Sequence, residues 1–164
     1  MKENILIANP YNEEHIRLFQ QYEQRNNLSP TTSSYLIKIK NTMSEQEYKQ
    51  LEQERPEVAK TIFMVQNGKI LTTIHLIGEK DRKSCRATTD NMSTAKVEEK
   101  MLEELENYVF TTLGMEELII LQETSKEKST NSFIKSNYED LGMEEGMHVY
   151  MKTKPNKKQT AYNR

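Results

Sequence analysis

One cysteine, four prolines and five glycines stand in this sequence of 164 residues, and each scarcity narrows what the chain can be. The single cysteine, Cys85, excludes an intrachain disulfide and fits a reducing compartment. No apolar run approaches the ~20 residues needed to cross a bilayer, and Ile5-Leu6-Ile7-Ala8 is too short for a signal-peptide core. The net charge of −2 gives no global attraction to nucleic acid or anionic membrane. His15, His75 and His148 are scattered, with no Cys or carboxylate at metal-ligand spacing, so no metal site is expected. There is no internal repeat and no low-complexity tract. The expectation is a soluble, cytoplasmic protein with neither nucleic acid nor membrane as partner. Its oligomeric state, a homodimer included, is open.

What is present is a lean core and a well-solvated surface: 35% of residues are hydrophobic and 29% charged. The length suits one domain, read here as residues 1–153, followed by a flexible basic tail over 154–164. Ile5 to Ala8 reads as a first strand, ended by Asn9-Pro10. Asn12 caps a helix whose apolar face is Ile16, Phe19 and Tyr22. Residues 28–42 are ambiguous: Ser29 to Thr32 read as loop, and Tyr35 to Ile39 as a short strand or packed loop. Ser44-Glu45-Gln46-Glu47 is a capping box that starts a further helix, ended near Glu54 by Pro56. Asn67-Gly68 between two β-rich runs, 61–66 and 70–77, is a hairpin signal, with Cys85 to Thr89 as a third antiparallel strand.

Val97, Met101, Leu105, Tyr108, Val109 and Leu113 share one face of a long helix closed by Gly114. Leu118 to Leu121 reads as a strand buried on both faces. Over residues 131–143 the spacing of Phe133, Ile134, Asn137, Tyr138 and Leu141 predicts a helix ended by Gly142. His148 to Met151 gives the last strand. The fold class expected is a mixed α/β sheet with helices on both faces.

Asn131, Tyr138 and the triplet Leu141-Gly142-Met143 resemble the N-x-x-A-x-x-x-Y-E-x-x-G-F signature of the GCN5-related N-acetyltransferases (GNAT). Ile134 stands at the usual alanine and Met143 at the usual phenylalanine. The resemblance extends by element order over roughly residues 3–153. It implies the GNAT-like acyl-CoA N-acyltransferase fold: a mostly antiparallel central sheet with one splayed parallel pair, here Cys85–Thr89 and Leu118–Leu121, and acetyl-CoA between them. It further implies that Tyr138 protonates the leaving thiolate and that Asn131 lies beside the pantetheine and pyrophosphate. By the same resemblance the pyrophosphate rests on a loop written Q/R-x-x-G-x-G/A, which aligns with Ser93, Thr94, Ala95, Lys96, Val97 and Glu98. Here the sequence departs from the family. Ser93 replaces the leading residue, Lys96 and Glu98 replace the glycines, and no glycine occurs between Gly78 and Gly114. A carboxylate about 4 Å from a phosphate costs about 4 kcal/mol at an effective dielectric near 20, before relaxation.

Two functions follow. The first is transfer of an acetyl group from acetyl-CoA to the primary amine of a small molecule or protein, with His75, Glu123 or a water as the base and Tyr138 as the acid. The second is a binding or scaffold protein on the same fold that has lost the phosphate loop. For Tyr138 the alternative to chemistry is a buried phenol with a hydrogen-bond partner. For Asn131, Lys96 and Glu98 it is an ordinary first-turn position, and for Glu123 a solvated carboxylate.

Overall fold

The computed structural model describes residues 4–55, 59–79, 83–89, 95–123 and 137–155, the side chains of residues 4, 89, 95–98 and 123 excepted. The chain starts with β1 (Asn4–Ile7) and then forms α1 (Glu13–Arg25), α2 (Thr31–Thr42) and α3 (Glu45–Glu54). Three strands follow, β2 (Lys60–Gln66), β3 (Lys69–Glu79) and β4 (Ser84–Thr89), then α4 (Ala95–Glu106). The last strands are β5 (Glu117–Glu123), β6 (Glu139–Glu144) and β7 (Met147–Thr153). All seven form one sheet, ordered β1-β2-β3-β4-β5-β7-β6, antiparallel except where β4 runs parallel to β5.

Local chemistry accounts for most of these boundaries. The Asn12 side chain accepts from the Glu14 and His15 amides and starts α1. Ser44 and Glu47 make the reciprocal bonds of a capping box at α3, at 3.0 and 3.2 Å. Asn67 and Gly68 both have positive φ, +56° and +73°, which matches the right-handed twist of the two strands they join. After Glu106 helix α4 loosens into a π-helical segment, Asn107–Thr112, where the Leu113 amide reaches back to the Tyr108 carbonyl. Gly114, at φ +68°, then turns the chain out.

The sheet separates two cores, and β2 and β3 feed both. One face of the sheet buries Ile62, Met64, Ile74, Leu76, Ala87, Leu118 and Ile120 against Met101, Leu102 and Leu105 of α4. The other packs Phe63 and Ile70 against Ile16, Phe19 and Tyr22 of α1 and Leu36 of α2. Each such side chain contributes about 1.5–3 kcal/mol by leaving water. Helices therefore cover both faces, as expected. Among the described residues no helix is long and apolar enough to cross a membrane.

Two stretches depart from the sequence reading. Residues 31–42, read as loop or strand, are helix α2, so three helices separate β1 from β2. Pro30 gives α2 no side-chain cap. Instead Glu23 of α1 accepts from the Thr32 and Ser33 amides at 3.1 Å and from the Ser33 hydroxyl at 2.5 Å. The cap is tertiary, and it outweighs the weak helix preference of Thr, Ser and Ile. The second departure is residues 138–143, read as the end of a helix. Asn137 takes φ +67°, a conformation incompatible with continuing a helix, and the chain enters β6 at Glu139. Gly142 does need a left-handed conformation, φ +84°, but uses it where the β6–β7 register shifts, not at a helix end.

Candidate active site

The parallel pair is where the sheet opens. β4 and β5 are paired from Ser84↔Glu117 to Thr88↔Leu121 and no further. Beyond that rung β4 stays with β3, through Thr89↔Ile74, and β5 stays with β7, through Glu123↔Met147. Past that rung each strand keeps only its outer partner among the described residues, and this unpaired end of the seam is the wedge. The chain that leaves the top of β4 enters α4 at Ala95. The first four amides of α4 have no partner within the helix and carry its positive dipole end.

His75 stands in the row that ends at the wedge. It pairs with Thr61 on one side and Thr88 on the other, and Thr88 pairs with Leu121. At ~4.8 Å per strand, His75 lies one strand from the wedge's near lip and ~10 Å from its far one. Its Nδ1 is 3.0 Å from the Thr61 hydroxyl. The imidazole opens into a cleft of about 180 Å³ on the α1/α2 side of the sheet, shared with Phe19, Tyr22, Glu23, Ser29 and Thr73. Glu123 is the last residue of β5, on the far lip, opposite Met147. The wedge, His75 and Glu123 thus come together at one end of the sheet.

Tyr138 does not join them. It precedes β6 and is buried in the α4-side core. Its hydroxyl donates to Glu106 Oε2 at 3.0 Å, while Lys152 Nζ donates to Oε1 of the same carboxylate at 2.5 Å and lies 5.4 Å from the tyrosine ring centre. Burial, then the Glu106 charge, then the hydrogen bond hold the phenol far above its ordinary pKa. Glu106 ends α4, ~16 Å along the helix from Ala95. Lys152 pairs with Leu118, near the foot of β5, whereas the wedge opens after Leu121. The carboxylate that receives Tyr138 has no marker in the sequence; Glu106 and Lys152 are 46 residues apart.

Of the remaining expected site residues, Ser93, Thr94 and Asn131 lie outside the described residues. Ala95, Lys96, Val97 and Glu98 form the first turn of α4, and their side chains lie outside them as well. Cys85 is buried, and burial pushes its thiol up to about 11, so it is no nucleophile. One grouping that the sequence does not show is His148 with Asp140: Nε2 to Oδ1 is 2.6 Å, and the ring stacks on Tyr150 at 4.4 Å. These residues are eight apart across the β6–β7 turn, a spacing that carries meaning only once β6 is known to be a strand.

This fold is shared with solved acetyltransferases. The chain has the GNAT fold. It superposes on a ribosomal-protein-S5-alanine acetyltransferase from Vibrio fischeri with TM-score 0.70, over 94% of this chain and 97% of that one, at 10% identity. The N-acetyltransferase PseH from Campylobacter jejuni, solved in complex with acetyl coenzyme A, gives 0.61 over 94% and 100%, at 14% identity. The spermidine/spermine N-acetyltransferase SpeG from Vibrio cholerae gives 0.59 over 93% and 95%, at 9% identity. No family model matches the sequence, and no curated protein does.

Proposed function

We propose that the chain is an N-acetyltransferase, moving the acetyl group of acetyl-CoA to a primary amine. The observation that carries this reading is the wedge between β4 and β5, with His75 in the same row and a cleft beside it. Acetyl-CoA is the substrate that supplies the activated acyl group. The exposed main-chain groups of β4 and β5 would line its pantetheine arm, and the first amides of α4 would face its phosphates. Lys96 stands in that first turn with Glu98, and the lysine charge offsets part of the carboxylate's repulsion.

The amine enters from the α1/α2 side. His75 takes its proton, and Glu123 on the opposite lip is the second base. The amine's electron pair forms the new C–N bond, and the C–S bond breaks with its pair on sulfur. A thiol with pKa near ~8.5 is an adequate leaving group without an acid. The buried Tyr138, its proton committed to Glu106, is therefore assigned to structure and not to the acid step.

The test is turnover with an amine panel, read as thiol release, together with calorimetric binding of acetyl-CoA. His75→Gln should lower kcat by about 100-fold, the lower end for a general base, with acetyl-CoA affinity unchanged. An unchanged kcat would remove His75 from the chemistry and leave Glu123. The rival reading, a binding protein on the same fold, is favoured by the lack of glycine between Gly78 and Gly114. Absence of acetyl-CoA binding would establish it.

A further inference from the structure

We infer that the acceptor is a hydroxyl-bearing monoamine of single-ring size, of the amino-sugar class; this rests on the acetyl-transfer reading above. Charge, size and backbone at the His75 cleft all point the same way. Glu23 is the only carboxylate among the described residues that line it. Both its oxygens are engaged, Oε2 by the Thr32 and Ser33 amides and Oε1 by the Ser33 hydroxyl, at the positive end of α2. A polyamine carries several ammonium groups, each of which would need a carboxylate on leaving water, and the described residues that line the cleft offer none in reserve.

What the cleft does offer is hydroxyl: Ser29, Thr31, Thr32 and Thr73, with Leu28 as an apolar wall. Each hydroxyl both donates and accepts, the complement of a polyol. The volume of about 180 Å³ falls below the ~300–1,000 Å³ of sites that enclose drug-sized ligands. A half-open cleft of that size suits one sugar ring. The backbone argues against a peptide acceptor. β3, which carries Thr73 and His75, is paired on both sides, by β2 and by β4, so no open strand edge is available for a peptide to extend.

In the resulting step the sugar amine forms the C–N bond and CoA leaves with the C–S electron pair. The amine proton passes to His75 and then to solvent, giving the N-acetyl sugar and CoA. The experiment uses the full chain with acetyl-CoA and three classes of acceptor: glucosamine and amino sugars carrying the amine at other ring carbons, spermidine, and a short peptide with a free N-terminus. Thiol release and calorimetric acetyl-CoA binding are read on the same preparation. An amino sugar should be acetylated with kcat/KM at least about tenfold above the other two classes. Ser29→Ala and, independently, the isosteric Thr73→Val should each raise the KM for that sugar about five- to tenfold, the scale of one lost hydrogen bond, and leave the KM for acetyl-CoA unchanged. Preference for spermidine or peptide, or acetyl-CoA binding with no amino sugar acetylated, would overturn the acceptor class while leaving acetyl transfer intact. Failure to bind acetyl-CoA would overturn both.

Discussion

Tyr138 shows how the surroundings of one side chain decide its role. A phenol that donates a hydrogen bond to Glu106, beside Lys152, connects the start of β6, the end of α4 and β7 in one network. Removing the hydroxyl leaves a partly buried carboxylate oxygen short of a donor, which costs about 1–3 kcal/mol. Tyr138→Phe is therefore expected to lower the urea midpoint of unfolding and to leave the acetyl-transfer rate unchanged. A large loss of kcat at unchanged stability would return the hydroxyl to the chemistry.

Lys60 makes a second prediction at the same scale. Its ammonium is buried beside the Tyr48 hydroxyl, at 3.1 Å, and beside the Glu52 carboxylate. Burial brings its pKa down from 10.5 to about 8. A folded-state pKa below the unfolded one means that the unfolded chain holds more protons between the two values. Stability thus rises as pH climbs from about 8 towards 10.5, by an order of 3 kcal/mol, and is lost again on the way down. Chemical denaturation of wild type and Lys60→Met across that window checks it. The wild-type slope should exceed the variant's, and equal slopes would contradict the buried ammonium.

Among the elements, α2 depends on a neighbour for its start. Glu23→Ala removes the acceptor of two amides and a hydroxyl at once. The expected cost is about 2 kcal/mol, with melting lowered by roughly 4–8 °C for a chain of this size and the first turn of α2 exchanging amide hydrogens faster. An unchanged melting temperature would show that α2 holds without the cap. This dependence also explains why α2 is not legible in the sequence. Its capping group lies ten residues from Ser33, on another helix. The α3 capping box is legible because both its partners fall within one turn, and the β2–β3 hairpin because Asn67 and Gly68 alone satisfy the turn.

β6 is misread for a different reason. Tyr138 and Leu141 keep helical spacing, and Gly142 sits where a helix cap belongs, so three local signals agree on the wrong element. What overrides them is Asn137 at φ +67° and the pairing available along β7. At Gly142 an added Cβ meets nothing within 4 Å, so Gly142→Ala tests the backbone alone. At φ +84° it should cost about 1 kcal/mol in urea unfolding, and no cost would mean that β6 relaxes freely there.

At the scale of the molecule, the order of elements carries more of the fold than any motif. Three antiparallel strands, a helix and a parallel return force a sheet with one parallel seam, at whose end each strand keeps only its outer partner among the described residues. His75 is legible as a candidate base only through its place in β3, one strand from that seam. The cleft it faces is not, because α1 and α2 build it from residues scattered over Phe19 to Thr73. The proposed phosphate side falls at the start of α4, whose first four residues differ from the resembled loop while still presenting helix amides.

The opening between β4 and β5 as the acetyl-CoA slot is the central claim, and an NMR titration of the isotope-labelled chain with acetyl-CoA tests it most directly. Amide shifts are expected to concentrate at the ends of both strands, around Thr88, Thr89, Gln122 and Glu123, and in the first turn of α4. A spectrum unmoved at millimolar acetyl-CoA, or shifts confined to the β1 edge, would contradict the claim and leave a GNAT fold serving another ligand.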